Sequence, residues 1–147
     1  MPEVQMERAY RRALSVFADE VTYHMGGPSG TSALFFKSDG REYCLSYSSG
    51  KSPEIMSVST VLGPQFVATL RKEPELINRF NALHPCVKAH VDLRQGLILC
   101  SEHQLAGVNL IPSDEIIQAV LAPVVERLDV SSQYFTRLFL KDYWGQG

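Results

Sequence analysis

Residues 42–62, EYCLSYSSGKSPEIMSVSTVL, decide how this chain folds. Tyr43, Leu45 and Tyr47 alternate with Cys44, Ser46 and Ser48, and Met56 and Val58 resume the same beat after Ser49-Gly50-Lys51-Ser52-Pro53. A period of two with one apolar side is the pattern of a strand that buries one face. A short polar connection makes two such strands antiparallel neighbours. Just upstream, residues 31–37 carry Leu34, Phe35 and Phe36 and end in the turn residues Ser38-Asp39-Gly40. The three runs together predict an antiparallel meander with one buried and one wetter face.

Downstream, Gly63-Pro64 breaks the pattern, and Phe66 onward reads as irregular chain leading into a helix. Glu73-Pro74-Glu75 suits a helix start, because proline is tolerated in the first turn and carboxylates favour that end. Leu76, Ile77, Phe80 and Leu83 form its apolar stripe, and Pro85 stops it near His84. A hairpin follows. Keeping Val87, Ala89 and Val91 on one face with Leu97 and Leu99 sets Val91 opposite Leu97 and puts the turn around Leu93-Arg94-Gln95. The same register sets Lys88 opposite Cys100 and, extended further, Cys86 opposite Glu102.

Pro112-Ser113-Asp114-Glu115 then opens a helical region with Ser113 as N-cap. Its stripe is Ile116, Ile117, Val120, Leu121, Val124 and Leu128, with Pro123 expected to bend or divide it. A further helical stretch carries Tyr134, Phe135, Leu138 and Phe139 toward Trp144. Upstream of the meander, Met6, Tyr10, Leu14, Phe17 and Val21 recur at helical spacing, which predicts one helix from Pro2 to about Glu20. The glycine-rich segment His24 to Gly30 reads as a loop. With no repeat or linker, residues 1–147 form one domain. The expected fold class is α+β: an antiparallel sheet, made of a three-strand meander plus a hairpin, covered by N-terminal, middle and C-terminal helices.

Composition narrows the function. Hydrophobic residues at 45% and charged residues at 20% describe a packed domain rather than a disordered one. A net charge of −2 shows no basic excess for tracking phosphates, so no nucleic-acid partner is expected. No apolar run reaches membrane-spanning length, and Glu3, Glu7, Asp19 and Glu20 do not suit a signal peptide, so a cytoplasmic protein is expected. Three widely spaced cysteines make no disulfide framework.

No cluster commits to a chemistry. The four histidines have neither zinc-finger nor HExxH spacing. Cys86, His90 and Cys100 should share the outer face of the hairpin, but Lys88 among them disfavours a cation. No metal or cofactor is expected, and a redox role for Cys86 and Cys100 is left open. No cysteine has a nucleophile's local signature. Gly26 to Gly30 lacks the phosphate-loop pattern, and the acids are not paired for acid–base work.

The segment Leu76-Ile77-Asn78-Arg79-Phe80-Asn81-Ala82-Leu83-His84 resembles the helix of YbjN-domain proteins, in which an Asn is followed by a strand bearing a Lys, here Asn81 and Lys88. Leu97 to Glu102 is similar to the family's second hairpin strand, with Gly107-Val108 before the C-terminal helices. The resemblance covers about residues 66–135 in detail. It implies the type III secretion chaperone-like fold and a non-enzymatic domain of the sensory-transduction-regulator kind. The sibling class, secretion chaperones, implies an alternative: a homodimer holding an extended segment of an effector. A small enzyme or ligand-binding protein is the third reading. The expected partner is another protein or a second copy of the chain, with Leu76, Ile77, Phe80 and Leu83 as the candidate dimer or partner surface.

Overall fold

The computed structural model describes residues 2–16, 18–24, 32–48, 53–63, 67–92, 94, 96–107 and 112–145. Its elements run α1 (Pro2–Leu14), β1 (Glu20–His24), β2 (Ser32–Ser38), β3 (Arg41–Tyr47), β4 (Glu54–Gly63), α2 (Val67–Lys72), α3 (Glu75–Leu83), β5 (Lys88–Asp92), β6 (Gly96–Ala106) and α4 (Asp114–Gly145). The strands form one antiparallel six-stranded sheet in the order β1-β2-β3-β4-β6-β5. The fold is α+β, as expected.

The alternation that marks the meander is also what builds the core. Leu34, Phe36, Tyr43, Leu45, Tyr47, Met56, Val58, Leu97 and Leu99 are buried on one face, called here the inner face. Against them pack Met6, Tyr10 and Leu14 of α1, Phe80 of α3, and Ile117, Leu121, Leu128 and Phe135 of α4. Tyr10 lies on Tyr47 at 4.6 Å between ring centres and donates to the buried Glu54 carboxylate, which also accepts from the Ser48 amide. Burial, and then the neighbouring Glu54 charge, push the Tyr10 phenol far above its ordinary range, so it acts only as a donor. The opposite, outer face carries Phe35, Cys44, Ser59, Cys100 and Lys88 in one row across the strands. Ile98, on this outer face, is buried yet stands apart from the core cluster.

The hairpin register is the one its pattern predicts, with Val91 opposite Leu97 and Lys88 opposite Cys100. The ladder ends there, so the extension that set Cys86 against Glu102 is not part of it. Three expectations change. The first helix ends at Leu14, and Val21 belongs to a strand, so the sheet has six strands rather than five. Val21, Thr22 and Tyr23 are β-branched and aromatic residues suited to that strand; the spacing of Val21 from Leu14 and Phe17 fitted a helix only by coincidence. Residues 67–72, read as irregular, form α2, which buries Leu70. Finally α4 is one 32-residue helix that Pro123 does not divide, because its buried face packs on the sheet and on α1. The glycine-rich loop, apart from His24 at the end of β1, lies outside the described residues, as do Phe17 and the loop 49–52.

Candidate functional site

Two segments distant in sequence meet at a groove of about 500 Å³. One wall is the end of α3 and the turn after it, Leu83 to Val87; the other is the middle of α4, where Pro123, Glu126, Arg127 and Val130 follow one another along one side of the helix. That side lies beside the core stripe of Leu121, Val124, Val125, Leu128 and Phe135, so a single helix serves both core and groove. Leu83 is 64% exposed and Val130 59%, an unusual state for large apolar side chains that face each other across a hollow.

Aromatic stacking fixes the wall on the α3 side. Phe80, only 1% exposed, lies 4.6 Å from Phe135 and 4.2 Å from the His84 ring, while Tyr134 borders both Phe80 and His84. The backbone N–H of His84 and its Nδ1 both reach the Phe80 carbonyl, at 2.9 and 3.0 Å. A carbonyl only accepts, so Nδ1 carries a proton and donates it. Asn81, one residue along, turns to the sheet: its Nδ2 donates to the Ala89 carbonyl (3.1 Å) and its Oδ1 accepts from the Ala89 amide (2.7 Å). The side-chain amide thus occupies the place of a neighbouring strand on the edge of β5.

Among the four candidate surface residues, Phe80 is buried inside the protomer, Leu76 and Ile77 are half-buried against the core, and Leu83 is exposed in the groove. Val130 was not singled out from the sequence. Its signal was an apolar residue one step off the core stripe of α4.

A second hollow, of about 540 Å³, opens on the other side of Cys86 and is lined by Lys88, His90, Cys100, Glu102 and His103 among others. It gathers the Cys86, His90 and Cys100 set, but with Lys88 among them, and no described group of three His, Cys, Asp or Glu is placed to hold a metal. All three cysteines are free thiols. Burial, with Cys100 next in effect, raises the Cys44 thiol, which keeps it protonated and unreactive. Beside the hollow, Ser101 and His103 share a face of β6 and touch at 2.8 Å, superficially a nucleophile and its base. The directions run the other way. The Ser101 hydroxyl gives its one proton to the Cys86 carbonyl at 2.7 Å, so His103 Nε2–H is the donor and has no lone pair there to take a proton. Burial first, and Arg127 second, lower the His103 imidazole below its ordinary value.

No described helix is long and apolar enough to cross a membrane. No protein-family model matches the chain, and no curated protein matches it.

Proposed function

We propose that this domain is a non-catalytic, protein-binding module, in line with its resemblance to YbjN-type regulators, and that the groove between α3 and α4 receives a short apolar segment of the partner. The observation that carries the reading is the pair Leu83 and Val130, both largely exposed and facing the same hollow. Apolar residues with Tyr134 beside them supply contact area at little entropic cost. The rim holds one acid and one base, Glu126 and Arg127, which favours a partner whose contacts are apolar over one of strong charge. A cytoplasmic setting belongs to the same proposal, supported by three thiols that stand unpaired.

The secretion-chaperone reading draws on a different observation. Phe35, Ile55 and Val61 are exposed on the outer face of the sheet, around a centre of small residues such as Ser46, Ser57 and Ser59. A shallow face of this kind suits an extended effector segment laid across it.

One experiment separates the two. Tagged full-length protein is used to capture partners, alongside Leu83→Asp and Val130→Asp variants and a Phe35→Asp, Val61→Asp variant. All four positions are exposed, and a retained cooperative melt for each variant shows that a lost client reports on the surface rather than on folding. A stoichiometric client lost with the first two variants and kept by the third supports the groove. The reverse pattern favours the chaperone reading. A client retained by all of them would rule out both surfaces.

A further inference from the structure

The two sides of the α3–α4 groove differ in charge, and the difference says what a partner should carry. Pro123 and Val130 stand seven residues apart, so they lie on one line along α4 and form the ridge of that wall. Glu126 and Arg127 also line the groove, but successive helical residues are about 100° apart, so the two flank the ridge on opposite sides. Along the helix Arg127 meets no acid: the residues three and four away are Pro123, Val124, Val130 and Ser131. Among the described residues it forms no ion pair. Pro85 and Cys86 line both this groove and the second hollow, so one turn of chain separates the two. Arg127 acts on the His103 imidazole of that hollow, where Lys88 and His90 add two more bases against the single acid Glu102. A carboxylate on this side is met by a guanidinium and by further donors behind it. A base is met by Glu126 alone.

Pro123 is a second observation, independent of charge. A proline inside a helix offers no N–H to the carbonyl four residues earlier, here that of Ala119, and it is the least favourable residue at such a place. Pro123 is exposed, so no core packing in the protomer offsets the lost bond. Positions that break a local rule without an internal gain are where binding sites are expected. The Ala119 carbonyl opens beside the proline ring, an acceptor for an N–H of whatever lies in the groove. Ala119 and Glu126 are also seven residues apart and share a line, so acceptors gather on one side of the ridge and the Arg127 donor stands on the other.

From this we infer that the partner enters the groove as an extended segment bearing a large apolar side chain and, within about three residues of it, a carboxylate. The apolar side chain sits between Leu83 and Val130, the carboxylate meets the planar fork of Arg127, and a backbone N–H of the segment takes the Ala119 carbonyl. One carboxylate suffices, since a run of acids would meet Glu126 and Glu102. The inference rests on the protein-binding reading above and sharpens it from an apolar segment to an apolar–acidic one.

The test selects random dodecapeptides, displayed on phage, against the full chain and measures the enriched sequences as free peptides by fluorescence anisotropy. Enriched sequences should pair a large apolar residue with a nearby Asp or Glu. Leu83→Asp should abolish their binding, and Arg127→Glu should weaken it about tenfold. A repeat selection on Arg127→Glu should put Lys or Arg in place of the acid. Pro123→Ala should melt at a higher temperature than the unaltered protein yet bind several-fold more weakly, a combination that a purely structural proline would not give. Unchanged binding by Pro123→Ala would strike out the Ala119 contact. Peptides that need Leu83 but carry no acid, or that are indifferent to Arg127→Glu, would overturn the inference and leave the groove standing. A preference for bases would overturn it in favour of Glu126. Self-association abolished by Leu83→Asp would overturn it in favour of a second copy as the occupant. A selection that enriches nothing, or only peptides indifferent to both Leu83→Asp and Val130→Asp, would remove the groove reading along with it.

Discussion

The β5 edge and the β1 edge pose the same physical problem and answer it differently. Each is a row of backbone donors and acceptors with no further strand beside it among the described residues. On β5 a single side-chain amide supplies one donor and one acceptor at 3.1 and 2.7 Å, and α3 lies over the strand behind it. On β1 no described element does the same. Edges are hazards that sheets manage with specific devices, and the described residues show such a device at one end only. The contrast also shows how short the reach of such a device is. Asn81 sits eight residues before Ala89, at the end of the helix that feeds the strand it protects.

Breaking the closed edge should give the largest effect. Asn81→Ala strands the amide and carbonyl of nearly buried Ala89, so unfolding in urea should show a loss of about 2–3 kcal/mol. The same variant should scatter light increasingly with concentration, as an unprotected edge finds partners. Next comes a comparison within β1. The Asp19 amide donates to the Lys37 carbonyl, and strand alternation then turns the Thr22 main chain toward β2 and the Val21 main chain away from it. Thr22→Pro should therefore be less stable than Val21→Pro by about 1–2 kcal/mol. Equal stabilities, measured by thermal melts, would mean that the outward and inward positions of the strand have been assigned the wrong way round.

The smallest effect lies where β6 runs on beyond the end of β5. There His103 has a lowered pKa in the folded protein, so the unfolded chain takes up the proton more readily. Stability should therefore be full above the ordinary value of 6.5 and fall as the pH drops through it toward the lower folded value. His103→Gln should flatten that slope, as read from melting temperature across the same range.

How much of this the chain disclosed depended on the distance over which each decision is made. The meander and the hairpin register were legible because a two-residue period forces every side chain to one face or the other, and Val91 opposite Leu97 follows from that alone. The strand β1 was hidden because Val21 continues the helical spacing from Leu14 through Phe17, and only pairing with β2 overrides it. The six residues of α2 are too few for a period to emerge. Tertiary contact likewise carried α4 through Pro123. The groove was half legible: Leu83 was one of four stripe residues named as a candidate surface, whereas Val130 gains meaning only when α4 is laid beside the turn at residues 84–87. Phe80 belonged to the same stripe as Leu83 and could not be told from it by spacing; the structure buries it against Phe135. Asn81 was noticed by resemblance, while its role as a substitute strand needed the position of Ala89.

The amide clamp on β5 has a consequence for how many molecules can join. An open strand edge acts as a bond-forming site, and the number of such sites per chain is its valence. With one site, two chains meet and the assembly is complete. With two, each arrival exposes another site, and growth has no natural end. By occupying Ala89, Asn81 removes one such site from the chain, so the loss of a single side chain would raise the number of places at which chains can join.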